Sequence, residues 1–157
     1  MSKPYNRTAA LRYAKEWAFS RNPVYYDFNE IGGDCTNFAS QVCFAGSGIM
    51  NYSQLGWYYI NSYSRAPSWT GVEPFYNFMT TNEGRGPYGI EVSRRQIIPG
   101  DFIQLSFDGL SFSHTLVVVR ITPEITVAAH THDAYDRPLS SYTYKSIRFI
   151  HISEVRE

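Results

Sequence analysis

The 157-residue sequence has only two cysteines, no excess of either charge and no long apolar run. Lysine plus arginine and aspartate plus glutamate number 14 each, and because no basic stripe is present we expect neither nucleic acid nor a membrane as partner. No segment is apolar enough to span a bilayer, and the first residues lack the apolar core of a signal peptide. The chain as given is therefore expected to be cytoplasmic, unless it is a domain excised from a secreted cell-wall protein.

The two cysteines, Cys35 and Cys43, lie in one segment that is predicted to be helical. Eight residues of helix separate them by about 12 Å along its axis, which is too far for a disulfide. Neither belongs to a CxxC pair, so we expect no structural zinc, no other metal and no cofactor. Both thiols are predicted to be free, and Cys43 is predicted to play no part in chemistry.

Length and periodicity predict one domain, residues 1–157, with helices first and strands later. The spacing of apolar residues predicts a first helix beginning at Asn6 and a short helix beginning near Thr70. The glycine-rich run 84–87 is predicted to be a turn or mobile loop. Apolar and β-branched runs predict strands over residues 101–105, 115–119, 125–129 and 146–152. This order indicates an α+β fold, with N-terminal helices packed on an antiparallel β-sheet.

The most informative segment is GGDCTNFASQ, residues 32–41. Asp34 is a favourable N-cap residue, apolar residues then recur at helical spacing, and Gly46 is predicted to end the helix. Cys35 therefore falls in the first turn, where unpaired N–H groups and the helix dipole favour a thiolate. The alternative is an inert buried cysteine, which is common because cysteine packs as a small apolar residue.

A cysteine nucleophile needs a base, and His114 at the start of the β-branched strand is the candidate. If the following hairpin is centred on Thr122, His114 lies opposite His130, with Cβ atoms roughly 5 Å apart. His130 would then orient the His114 ring, although a one-residue shift in register would break the pair. Asp133 is the fallback orienting residue.

Structural interpretations of the same residues remain open. His114 alone could be a strand-end histidine bonded to a carbonyl. His132 and His151 are predicted to be surface histidines or histidines satisfied by neighbours. Asp34 is interpreted primarily as an N-cap residue, and a contact with a substrate amine is the alternative.

The run GGDCTNFASQ, led by WAFSRNPVYYDFNE, resembles the bacterial putative amidase domain family of the amidase_6 type. Three further stretches carry the resemblance, which covers nearly the whole chain: PGDFI at 99–103, SHTLVV at 113–118, and HTHD at 130–133 followed by RPLS. That family is similar to NlpC-type and CHAP cell-wall hydrolases and, more distantly, to papain. The resemblance therefore implies a papain-like fold.

The resemblance also implies a mechanism. Cys35 would be the nucleophile, His114 the base and His130 the polar residue that orients the base. The reaction would be hydrolysis of an amide bond through a thioester acyl-enzyme, and the substrate would be a peptide or a peptidoglycan-like amide. A catalytically silent binding module and an acyl transferase with the same dyad are the alternatives.

The oxyanion of such a reaction needs hydrogen-bond donors. We expect the backbone N–H of Cys35 to be one of them. The side-chain candidates for the second are Asn29, which lies six residues before the cysteine, and the phenols of Tyr25 and Tyr26.

Overall fold

The computed structural model describes residues 1–157 and shows an α+β fold with a mostly antiparallel sheet. Four α-helices are present: α1 (Arg7–Trp17), α2 (Cys35–Ser47), α3 (Pro67–Thr70) and α4 (Val72–Thr81). Two short 3₁₀ helices cover Arg94–Gln96 and Leu139–Ser141. None of the helices has both the length and the apolar character that crossing a bilayer requires.

Nine strands form one seven-stranded sheet and one separate hairpin. The strands are β1 (Ser2–Lys3), β2 (Tyr59–Asn61), β3 (Ser64–Arg65), β4 (Gly86–Val92), β5 (Phe102–Ser106), β6 (His114–Arg120), β7 (Thr126–Ala129), β8 (Ala134–Pro138) and β9 (Ser146–Arg156). The sheet has the order β1-β9-β5-β6-β7-β8, β4 also pairs with β9, and β2 pairs with β3. The predicted meander is therefore present from β5 to β8, while β9 returns to pair with β5.

Helix α2 begins at Cys35, as predicted, but ends one residue beyond Gly46. Its C-cap is Gly48, whose φ of 67° lies in the left-handed region that favours glycine. Gly46 serves packing instead, because a Cβ there would lie 2.4 Å from the ring of Tyr5. The helix therefore presses closely on the N-terminal segment.

The sheet separates two apolar clusters, as the period of two along each strand requires. One cluster lies between the sheet and the helices and includes Phe38, Val42, Phe102, Val117, Ala128 and Ile150. The other lies on the opposite face and includes Ile103, Leu105, Leu116, Val118, Val127 and Phe149. This alternation places Thr115 on the helix side of β6, where its hydroxyl lies 2.9 Å from that of Thr36, and His114 on the opposite side.

The turn predicted at 84–87 is correct for residues 84 and 85, which form a bend, and wrong for residues 86 and 87, where strand β4 begins. Strand β4 carries little apolar alternation, and it forms through pairing with the distant strand β9. Its register shifts next to Gly89, where a Cβ would lie 2.0 Å from the carbonyl oxygen of His151. A pairing partner some sixty residues away leaves no local signal in the sequence.

The register between β6 and β7 differs by one residue from the predicted hairpin. Val117 pairs with Ala128 and Val118 with Val127. Continued to the start of β6, this register places His114 opposite Thr131 rather than opposite His130. A shift of one residue moves a side chain to the other face of a sheet, so the expected pairing of the two histidines is wrong.

Candidate active site

The loop before α2 places Cys35 against the turn between β7 and β8. Gly32 and Gly33 have φ values of 83° and 97°, which only glycine adopts readily. The Asp34 N–H donates to Thr131 Oγ1 at 3.2 Å, and a Cβ on Gly33 would lie 3.4 Å from the same oxygen. The glycine pair therefore permits a close approach of this loop to the turn.

The Cys35 thiol lies beside the first residues of β6. The residue is 8% exposed, its Sγ is 3.8 Å from Thr36 Oγ1, and the backbone of Thr115 lies close enough to the sulfur to lower its pKa. Thr115 directly follows His114 in the chain, so the structure brings the thiol to the residue next to the predicted base. No hydrogen bond joins the sulfur to the His114 ring.

The electrostatics of Cys35 correct the expectation of a thiolate. Burial raises the pKa of the Cys35 thiol, and the Asp34 carboxylate raises it further. Hydrogen bonds from the backbone of Thr115 and from Thr36 lower the pKa but do not compensate. The resting group is a thiol, because desolvation outweighs the donors at the start of the helix.

His114 is a buried imidazole without a hydrogen-bond partner in the protein. The residue is 7% exposed, and its ring lies 6.3 Å from the ring of Phe107 and 6.1 Å from that of Tyr142 between centroids. Burial, followed by repulsion from His132 and Arg137, lowers its pKa to about 4. His114 is thus neutral at physiological pH and able to accept a proton.

His130 lies elsewhere and does not contact His114. Its Nδ1 is 2.5 Å from Asp34 Oδ2, its Nε2 is 2.8 Å from the carbonyl oxygen of Trp17, and its ring stacks on Phe38 with centroids 4.0 Å apart. The altered register turns it towards the helices. His130 therefore anchors Asp34, the residue before Cys35, and no geometry in the structure lets it orient the ring of His114.

The fallback orienting residue, Asp133, does not contact His114 either. Both of its carboxylate oxygens lie 3.0 Å from the guanidinium of Arg21. The Nη1 atom of that arginine also lies 3.2 Å from His130 Nε2. Asp133 therefore belongs to the cluster around Asp34 and His130.

Asp34 precedes α2, but its side chain makes no capping hydrogen bond to the helix backbone. The carboxylate, 1% exposed, accepts from the Phe28 N–H and from Asn37 Nδ2, each at 2.8 Å, and contacts His130. These donors and its burial leave no access for a substrate amine. Asp34 occupies the N-cap position of α2, as predicted, but its side chain holds the preceding loop in place and neither caps the helix nor faces a substrate amine.

The expected oxyanion donors are only partly in place. The backbone N–H of Cys35 has no hydrogen-bond partner within the protein. Asn29 is exposed, and its side chain makes no hydrogen bond. Tyr25 stacks on Trp69 with centroids 5.9 Å apart, and burial raises its pKa to about 12, while Tyr26 packs edge-on against Phe28. No contact joins these three side chains to the sulfur.

A cleft of about 500 Å³ opens beside His114. Its lining residues come from loops, the start of β6, the end of β8 and the end of the second 3₁₀ helix: Phe107, Ser113, His114, Thr131, His132, Arg137, Ser141, Tyr142 and Thr143. His132, predicted to be a surface histidine, is exposed and lines this cleft. Two other cavities, of about 480 and 550 Å³, share no lining residue with it.

The turn that forms one side of the cleft has an unusual backbone. Thr131 and His132 have φ values of 64° and 61°, the pattern of a type I′ hairpin turn. A β-branched residue is rare in this region, and such conformations cluster at functional sites.

No group of three or more histidine, cysteine, aspartate or glutamate side chains is arranged to hold a metal ion.

Comparison with known proteins identifies the family. Residues 4–153 match the family described as Putative amidase domain. A search of curated proteins and a search of solved structures each found no match. Because the family match spans nearly the whole chain, the chain belongs to this family, which confirms the resemblance seen in the sequence. Membership indicates an amidase-like function, that of a hydrolase acting on carbon–nitrogen bonds.

Proposed function

We propose that this member of the putative amidase domain family is a cysteine-dependent amidase or peptidase of papain-like architecture. Cys35 is the nucleophile and His114 the general base. The observation that carries the proposal is the position of the thiol against Thr115, directly after an imidazole that is neutral and free of protein partners. A helix-start cysteine beside a strand-start histidine supports the papain-like assignment.

The first half of the reaction forms a thioester. The reaction requires the ring of His114 to reach the sulfur once substrate is bound, since catalytic hydrogen bonds often tighten only in the substrate complex. His114 accepts the thiol proton while Sγ attacks the amide carbon. Collapse of the tetrahedral intermediate breaks the carbon–nitrogen bond, and His114 donates the proton to the leaving amine.

The second half consumes a water molecule. His114 takes a proton from the water, the hydroxide adds to the thioester carbon, and the carbon–sulfur bond breaks. The acid product leaves and the proton returns to the sulfur. The free backbone N–H of Cys35 supports the oxyanion in both halves, and the exposed amide of Asn29 is the remaining side-chain candidate.

The substrate we propose is a peptide or a peptidoglycan-like amide. An acyl transferase would use the same first half and replace water by an amine. A binding module is the second candidate, because burial raises the pKa of Cys35 and the thiol makes no hydrogen bond to His114.

The test combines product analysis with detection of the acyl-enzyme. Wild-type protein is incubated with purified peptidoglycan and with a mixture of peptides, and mass spectrometry follows new termini and any acyl adduct on Cys35. We expect cleavage by wild type and by Cys43→Ala, whose thiol is fully buried, and loss of cleavage in Cys35→Ser and His114→Ala.

Iodoacetamide labelling provides an independent measurement. We expect alkylation at Cys35 whose rate falls in His114→Ala, since the base assists formation of the thiolate. Cleavage that persists in Cys35→Ser would refute the assignment of Cys35 as the nucleophile. Binding without cleavage or acylation in wild type would establish the binding module instead.

A further inference from the structure

Arg137 is a cation without a carboxylate partner in the cleft beside His114. The protein's arginine–carboxylate ion pairs involve Arg7, Arg21, Arg120 and Arg148 instead. The Arg137 guanidinium is nevertheless held in place, since its Nε donates to Ser141 Oγ at 2.7 Å and its central carbon lies 3.8 Å from the ring centroid of Tyr142. An oriented guanidinium of this kind is preorganised for an anion.

No acidic side chain lines the cleft. Three aspartates adjoin its lining residues in sequence, but all are bound by other groups. Asp108 accepts from the backbone N–H groups of Leu110 and Ser111, Asp133 pairs with Arg21, and Asp136 pairs with Arg120. No carboxylate of the protein therefore neutralises the charge of Arg137, which lines the cleft together with His132.

The remaining polar groups of the cleft suit an oxygen-rich ligand. Ser113, Thr131 and Thr143 line it, and the hydroxyl of Tyr142 is buried with no hydrogen-bond partner in the protein. A polar atom left in that state costs free energy, which a ligand atom can recover. The cleft thus combines a guanidinium and hydroxyl-bearing residues beside an imidazole that no protein group binds.

We propose that Arg137 and His132 bind a carboxylate of the substrate, so that the preferred amides carry a free carboxylate close to the scissile bond. The planar fork of arginine matches the two oxygens of a carboxylate. N-acyl amino acids and the carboxyl termini of peptides have this chemistry. That this carboxylate belongs to a substrate rests on the proposed function, but binding of the carboxylate does not require that any bond be cut.

The test measures binding in a protein that cannot form an acyl-enzyme. Cys35→Ala is titrated with N-acetylglycine and, separately, with the uncharged N-acetylglycinamide, while NMR follows the ring resonances of His114 and His132. We expect the carboxylate to bind roughly tenfold or more tightly than the amide. It should also raise the pKa of His114, because the anion offsets the repulsion that Arg137 and His132 exert on the imidazolium.

Matched variants locate the site. Arg137→Gln in the Cys35→Ala background should lose the preference for the carboxylate. Arg95 lines a different cavity, so Arg95→Gln in the same background should keep the preference. Arg137→Lys retains the charge without the planar fork and guards against misfolding of the glutamine variant. It should bind the carboxylate with intermediate affinity.

Equal binding of the two ligands, or an unchanged preference in Arg137→Gln, would overturn the proposal. This outcome is independent of catalysis. A protein that discriminates the two ligands but cleaves no amide would retain the carboxylate site and lose the hydrolase assignment. A protein that cleaves amides without regard to a nearby carboxylate would do the reverse.

Discussion

Two buried aspartates, at separate places in the molecule, have closely similar surroundings. Asp34 and Asp101 are 1% and 0% exposed, and each contacts a histidine Nδ1, at 2.5 and 2.8 Å respectively. Each also lies near an arginine. The two sets are Asp34 with His130 and Arg21, and Asp101 with His151 and Arg7.

The two clusters join different parts of the chain. Asp101 lies directly before β5 and accepts from the N–H groups of Ile98 and Ile152, while Arg7 of α1 donates to the same carboxylate. Asp34 closes the loop before α2 and meets His130 at the end of β7. Both clusters join elements that are distant in sequence, but only the Asp34 cluster lies next to Cys35.

The comparison shows that a buried aspartate–histidine pair does not by itself mark a catalytic centre. A charge taken out of water must be paired and hydrogen-bonded wherever it lies. His130 and His151 both meet that need. His114 differs from them because the protein leaves its ring nitrogens without a partner, so the chemistry is assigned to the histidine without such a pair.

The largest expected effect separates His114 from His151. His114→Ala should lower kcat/KM for amide cleavage by about 10²–10⁴, the usual contribution of a general base. His151→Ala should leave kcat/KM of the folded protein within a few-fold of wild type, because its ring contacts only the remote carboxylate. Initial rates of product release measure both, and equal losses in the two variants would erase the distinction.

The next effect tests what the two clusters share. Asp34→Asn and Asp101→Asn should each lower the free energy of unfolding by roughly 3–5 kcal/mol, because each removes one partner of a buried ion pair. Urea denaturation measures the loss.

Only Asp34→Asn should also change the reactive thiol. The Asp34 carboxylate raises the pKa of Cys35, so its neutralisation should lower that pKa and speed alkylation by iodoacetamide at a given pH. The labelling rate of Cys35 in Asp101→Asn is the control. The same acceleration in both variants would mean that loosened packing, rather than charge, governs the thiol.

The smallest effect concerns pH. The pKa of His114 falls from 6.5 to about 4 on folding, so between these values the unfolded chain binds more protons than the folded one. The stability associated with this group is therefore complete above pH 6.5 and is lost as the pH falls towards 4, by up to roughly 3 kcal/mol. Urea denaturation at several pH values should show this slope in wild type and in Cys43→Ala, and a shallower slope in His114→Phe.

Local signals predicted much of the fold. The start of α2 at Cys35 is confirmed, and the first helix begins at Arg7, one residue after the predicted start, with Asn6 as its N-cap. The α+β class and the antiparallel run from β5 to β8 are confirmed as well. These features follow from periodicity and capping, which operate over a few neighbouring residues.

Long-range pairing was harder to predict. Strand β4 exists through its pairing with β9, and the register of β6 and β7 depends on an irregularity between Val118 and Arg120. In the observed register His130 and His114 lie on opposite faces of the sheet, so His130 contacts Asp34 and not His114. The cleft with Arg137 is likewise formed by segments distant in sequence that carry no common motif.

The sequence alone determined the family, the helix that presents Cys35 and the strand that begins with His114, since these depend on local residue patterns. Only the tertiary structure decided which histidine stays without a partner, whether Cys35 rests as a thiol, and where the cationic cleft opens. The reason is that burial, register and the pairing of charges depend on contacts between residues far apart in the chain, and those contacts set the free energy of each ionisable group.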